Sequence, residues 1–133
     1  MILKGRGLVE GSAAGPLVVS SQPLSFLGGV DPDSGVVVDR GHELYGKKLT
    51  GTLLAIPHTV GSSVGAYVIY NLKKKSLGPA GFVAVKGDIT LVSGCALAGV
   101  PLADGFRLED LAGHAGKRAV LSGSNGELFL DLD

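Results

Sequence analysis

The stretch from residue 52 to residue 85 constrains the fold more than any other. Thr52-Leu53-Leu54-Ala55-Ile56 is a continuous apolar run stopped by Pro57, and such a run reads as a strand buried on both faces. After Gly61-Ser62-Ser63, apolar residues at Val64, Val68, Ile69 and Leu72 recur at spacings that fit one helix face, which predicts an amphipathic helix. Lys73-Lys74-Lys75 complement the negative end of that helix's dipole, and Gly78-Pro79 supplies its stop. Phe82-Val83-Ala84-Val85 reads as the next strand. Strand, helix and strand form a β-α-β unit, which predicts a right-handed crossover between parallel neighbours.

Around this unit the chain reads as short strands. Leu8-Val9 and Leu17-Val18-Val19 predict two strands separated by a turn region from Gly11 to Pro16, and Val36-Val37-Val38 predicts a third short strand. Leu24 to Gly35 mixes apolar residues with Gly, Asp and Pro, and is long for a connector; long ordered loops often carry function. Ile89 to Ala98 reads as either a strand or a short helix, the helix being preferred, followed by a strand at Val100-Pro101-Leu102. Ala119-Val120-Leu121 and Leu128-Phe129-Leu130 flank Asn125-Gly126, a hairpin-turn signal. The 22 glycines call for many turns, close backbone approaches or surfaces that another chain covers.

At 133 residues, with neither a repeat nor a linker, residues 1–133 are expected to form a single domain. A composition 45% hydrophobic and 18% charged, with zero net charge, argues against disorder and against electrostatically driven nucleic-acid binding. Cys95 is the only cysteine, so an internal disulfide and a multi-cysteine zinc or iron–sulfur site are both excluded within this chain. No apolar run approaches the roughly 20 residues of a membrane helix, and the start of the chain lacks a signal peptide's apolar segment. A soluble, cytoplasmic protein is expected, with neither membrane nor nucleic acid as partner.

Ligands of parallel α/β units gather outside the carboxyl ends of the strands, where Pro57-His58-Thr59-Val60-Gly61-Ser62-Ser63 falls. Unpaired N–H groups at a helix start carry partial positive charge and can hold an anion or a developing alkoxide. Ser62 or Ser63 could serve that chemistry, or could simply cap the helix. The segment is neither a Walker loop nor a nucleophile elbow, so phosphoryl and acyl transfer are not indicated. His58 is close enough in sequence to polarise a serine, or is a loop histidine bonded to backbone. His42 and His114 stand alone, and no residues have metal-ligand spacing. Asp31 and Asp33, flanking Pro32, either serve a turn or line a site.

Pro23-Leu24-Ser25-Phe26-Leu27-Gly28-Gly29-Val30-Asp31, then Gly35, then Gly61-Ser62-Ser63-Val64-Gly65 together resemble the small subunit of the aconitase X family. The likeness takes in the apolar strand before the serines, the helix after them and Pro79-Ala80-Gly81, and weakens beyond Gly105. It implies an α/β, β-rich fold: a swivelling β/β/α domain, like the fourth domain of aconitase. It also implies a hydro-lyase active only as a heterodimer with a large subunit, whose cysteines hold a [4Fe-4S] cluster. In archaeal members the implied reaction is dehydration of mevalonate 5-phosphate to trans-anhydromevalonate 5-phosphate in isoprenoid synthesis; in bacterial relatives hydroxyproline isomers are dehydrated. The family's proton-abstracting serine falls on Ser62, with Ser63 the neighbouring choice. Phe26, Gly28, Gly29 and Asp31, with Gly61 and Ser63, are the expected substrate or interface residues. The aconitase swivel domain has Arg after its Gly-Ser-Ser, where this chain has Val64, so a substrate-stabilising arginine is expected on the large subunit. Without the resemblance, a noncatalytic anion-binding or scaffold domain is the reading from another class.

Overall fold

A computed structural model describes all residues, Met1–Asp133. In chain order the elements are β1 (Ile2–Val9), β2 (Gly11–Val19), α1 (Phe26–Gly29), β3 (Leu53–Ile56), α2 (Gly65–Lys74), β4 (Gly81–Ala84), α3 (Ile89–Ala98), β5 (Leu102–Asp104), α4 (Leu108–Leu111), β6 (Arg118–Gly123) and β7 (Glu127–Leu132), with a 3-10 turn at Ala112–His114 before β6. The strands close into one barrel in the order β1-β5-β4-β3-β2-β6-β7. Strands β2, β3, β4 and β5 are mutually parallel, and the remaining pairings are antiparallel.

The predicted β-α-β unit is present. β3 and β4 pair in parallel with Leu54 opposite Phe82, and α2 connects them. All four residues of β3 and all four of β4 are buried, which is why both read as unbroken apolar runs rather than alternating ones. Their side chains divide between two cores. Leu54, Ile56, Phe82 and Ala84 join Ile69, Leu72, Leu91 and Cys95 beneath the helices. Leu53, Ala55 and Val83 point the other way and meet Leu17, Ala103, Leu121, Leu128 and Leu130. Strands β2 to β7 all contribute to this second cluster, which fills the barrel.

Several boundaries differ from the sequence reading. Gly11 to Pro16 is no turn: it is the first part of β2, paired in register with β6 from Gly11 opposite Gly123 to Pro16 opposite Arg118. Its small residues serve close packing, since a side chain at Gly15 would lie 2.2 Å from the Gly51 carbonyl oxygen. The chain reverses at Glu10, and β1 leaves β2 to pair with β5 and β7. Val36-Val37-Val38 makes only isolated bridges, Val36 to Lys48 and Val37 to Val30. The strand expected at Val100 begins two residues later, because Val100 N–H still donates to Cys95 at the end of α3 and Pro101 has no N–H. The Asn125-Gly126 hairpin is as expected, with both residues at positive φ.

Candidate functional site

Because β2 to β5 run parallel, their carboxyl ends and following loops share one rim of the barrel. The loop after β3 carries the two serines. On one flank it is stitched to the segment after β2: Val60 N–H donates to the Leu24 carbonyl at 3.1 Å, and Leu24 N–H to that of His58 at 3.4 Å. On the other flank, Lys86 N–H donates to the Pro57 carbonyl at 3.0 Å. Gly61 has φ +88°, and a side chain there would fall 2.5 Å from Ser25 Oγ. Only glycine fits this bend, which turns the chain outward so that Ser62 stands on the surface.

Ser62 Oγ accepts a hydrogen bond from Val64 N–H at 3.1 Å, and the Ser62 carbonyl accepts from Gly65 N–H at 2.9 Å. The hydroxyl thus holds the turn ahead of α2. Its O–H donates to no acceptor in the chain, and the N–H groups of Gly61, Ser62 and Ser63 donate to none either. An exposed hydroxyl beside three successive unpaired donors can support an alkoxide or contact an anion. No histidine or carboxylate of this chain bonds to it. His58 Nδ1 lies 2.9 Å from the Thr59 carbonyl, so its Nδ1–H is used on backbone, as one of the two sequence readings had it. Val64 forms the N-cap of α2 and is 49% exposed, instead of joining the helix's buried stripe.

The other expected site residues lie alongside, in varied settings. Phe26 is a core residue, 2% exposed, edge-to-face on Phe82 with ring centroids 5.8 Å apart. Its neighbour Leu27 is the one that faces outward. Gly28 has φ +85° on an open surface, and Gly29 is buried, its carbonyl accepting from Val38 N–H. Asp31 accepts from Ser34 Oγ at 2.7 Å and from Asp33 N–H at 3.1 Å. The serine hydroxyl first, then that backbone N–H, hold its carboxyl below the usual range. Asp31 therefore serves its own turn, the simpler of its two readings. Asp33 pairs with Lys75 at 3.2 Å.

A small hollow of about 220 Å³ lies next to the serines, lined by Ser63, Ala66, Ile89, Thr90 and Ser93. Two larger grooves, about 410 Å³ each, run past Glu43 and Val19 and share no residue with the serine loop. The serine loop and not the larger volume is the better site, because three successive N–H groups without an acceptor in the chain and an exposed hydroxyl lie together in it.

Sequence reasoning missed two carboxylates at this rim. Asp88 caps α3 and bonds to Thr59 in the serine loop. Asp104, 3% exposed, takes Arg6 Nε at 2.9 Å and Nη2 at 2.8 Å, and accepts from Gly87 N–H at 2.8 Å. Arg6 chiefly, then the Gly87 N–H, hold the Asp104 carboxyl below its usual range. These partners are 29, 98 and 17 residues apart; the only local signal was an Asp ahead of the apolar run starting at Ile89. No three His, Cys, Asp or Glu side chains are grouped to hold a metal ion. Cys95 is buried in the helix-side core, and burial pushes its thiol pKa up, so this chain's residues do not fit an iron–sulfur cluster.

A closed seven-stranded barrel, in which β2 to β5 are parallel and the other pairings antiparallel, with a serine loop at its rim, fits a swivel domain. The aconitase X swivel domain model matches residues 2–129, and the chain belongs to that family. Among curated relatives, the phosphomevalonate dehydratase small subunit of Pyrococcus furiosus is 44% identical over 128 residues, covering 96% of this chain and 94% of the relative. That of Methanocella arvoryzae is 45% identical over 109 residues, 82% of this chain and 81% of the relative. Among solved structures, Thermococcus kodakaraensis aconitase X in its holo-form superposes with a TM-score of 0.90 at 36% identity, covering 98% of each chain. A UPF0107 protein solved by NMR in solution gives 0.87 at 29% identity, covering 100% of this chain and 99% of the other.

Proposed function

We propose that this chain is the small swivelling subunit of a hydro-lyase that dehydrates mevalonate 5-phosphate to trans-anhydromevalonate 5-phosphate, with Ser62 as the base. The observation that carries the reading is the Ser62 hydroxyl, exposed at the rim beside the unpaired N–H groups of Gly61, Ser62 and Ser63. The relatives' shared name supports the substrate, and it favours mevalonate 5-phosphate over the hydroxyproline alternative.

In the reaction Ser62 Oγ takes the proton from the carbon next to the substrate carboxylate. The electron pair of that C–H bond becomes the new double bond as the hydroxyl on the adjacent carbon departs. A free serine hydroxyl is far too weak an acid to ionise at neutral pH. The unpaired N–H groups and the positive end of the α2 dipole are the donors that stabilise the alkoxide. They do so only where water is excluded, and this chain alone leaves Ser62 open to solvent.

On this reading a larger subunit supplies that cover; the relatives' name, small subunit, supports the existence of such a partner. An uncharged apolar collar lies on the serine loop and the elements beside it: Leu27, Val60, Val64, Tyr67 and Ile89 are all exposed, Ile89 by 82%. A Cβ added at Gly65 would lie 3.6 Å from the Thr90 side chain and 3.7 Å from the Leu27 backbone, so α2 begins close against both α1 and α3. We assign the collar, with Gly28 and the outer edge of the loop reaching Asp31, as the surface for the larger subunit. The iron–sulfur cluster belongs on this reading to that subunit. The whole chain, 1–133, acts as one domain of a cytoplasmic heterodimer; no helix is long and apolar enough to cross a membrane.

The test is anaerobic co-expression with the large-subunit gene and an assay for water loss from mevalonate 5-phosphate. Ser62→Ala should assemble normally and lose at least about 10²–10⁴-fold in turnover, the contribution expected of a positioned base. Near-wild-type turnover in this variant overturns the base assignment. Turnover on hydroxyproline instead changes the pathway and keeps the serine, whereas no turnover on either favours a noncatalytic anion-binding domain.

A further inference from the structure

We infer that Asp88 is a positioning residue for Ser62, acting through Thr59; the inference rests on Ser62 being the base. Asp88 Oδ1 accepts from Thr59 N–H at 2.7 Å, and Asp88 Oδ2 accepts from the Thr59 hydroxyl and, at 3.3 Å, from Leu91 N–H. Only the last of these bonds caps α3. Capping alone needs one acceptor; the other two bonds reach 29 residues back to the serine loop. Thr59 is buried and lies three residues before Ser62.

The Thr59 bonds complete a clamp. Leu24 holds the opposite flank through its backbone, and Gly61 sits against Ser25, so the stretch from His58 to Gly61 is pinned from both sides while Ser62 projects beyond it. The same carboxylate fixes the start of α3, whose Ile89 and Thr90 line the hollow shared with Ser63. Both walls around the serine are thereby referred to one side chain. A carboxylate near a developing alkoxide would oppose it, but three donors and the positive end of α3 compensate this one.

Displacing a catalytic group by about 1 Å can cost about a hundredfold in rate. Loss of the clamp should therefore lower kcat while leaving KM nearly unchanged. The experiment compares wild type, Ser62→Ala, Asp88→Ala, Asp88→Asn and Thr59→Val in the co-expressed heterodimer, with kcat expressed per assembled complex from size-exclusion chromatography. Asp88→Ala should lose about ten- to a hundredfold in kcat with KM within about twofold. Asp88→Asn should recover most of that loss, because one acceptor and a donor to the Thr59 hydroxyl remain. Thr59→Val keeps the α3 cap and should lose severalfold. Wild-type kcat in assembled Asp88→Ala overturns the inference, as does wild-type kcat in Thr59→Val if Asp88→Ala fails to assemble. An active Ser62→Ala overturns the base assignment and this inference together, whereas an inactive Ser62→Ala beside a fully active Asp88→Ala overturns the inference alone.

Discussion

At Gly61 backbone conformation and space agree. The φ of +88° disfavours any L side chain, and the nearest atom to an added Cβ is Ser25 Oγ at 2.5 Å. Gly61→Ala should cost about 1–2 kcal/mol from the left-handed conformation alone, read as a lower Tm, and should move Ser62 enough to depress turnover. Gly28 has a similar φ but open space around it, so Gly28→Ala should show the strain without the clash. Cys95 is fully buried, with its thiol pKa raised by that burial and, to a lesser degree, by Asp88. It should resist alkylation at neutral pH in the native protein and react promptly once the chain is unfolded in denaturant.

Helix α2 owes its place to one stripe. Ile69 and Leu72 are buried in the helix-side core, while Lys73 and Lys74 occupy the last turn, as the sequence pattern requires. Leu72→Ala should destabilise the protein by about 2–5 kcal/mol, measured by denaturant unfolding, because the emptied site sits among β3, β4 and α3 side chains. Lys75→Ala should change stability by less than about 0.5 kcal/mol despite its contact with Asp33, since both groups are solvent-exposed. Helix α1 is a different kind of element. It spans four residues with non-helical φ and ψ at Leu27 and Gly28, and is shaped by Phe26 plugging the core beside Phe82.

Closure of the barrel is the property of the whole molecule that organises the rest. β1 pairs with β7 on one side and β5 on the other, joining the two ends of the chain. The Arg6–Asp104 pair sits on that β1–β5 seam, directly opposed in register. Asp104's carboxyl is held below its ordinary value of 3.8, so the folded state binds its proton less readily than the unfolded chain. Its stabilising contribution is therefore present above that ordinary value and is lost as pH falls through the lower folded one. Acid unfolding of wild type should steepen below about pH 4, and Asp104→Asn should be less stable near neutrality with a shallower acid dependence. The exposure of Arg6 keeps the effect modest.

Residues 52–85 were legible because their structure is set by nearest neighbours in sequence. A doubly buried strand shows as an apolar run, a helix face as a three-four spacing, a stop as Gly78-Pro79, and the serine loop falls between them by connectivity alone. The position of Ser62 beyond a strand and before a helix was likewise readable, and the base role proposed for it is what the resemblance around Gly61-Ser62-Ser63 implies. Gly11 to Pro16 was misread because a glycine needed for close approach to Gly51 has the same spelling as one needed for a turn. Phe26 looked like a loop residue until Phe82 met it across the core. Barrel closure, the Asp88 clamp on Thr59 and the Arg6–Asp104 pair depend on contacts between residues far apart in the chain. No local pattern encodes those partners: their hydrogen bonds form only after the apolar strands and helices have collapsed and brought the rim together.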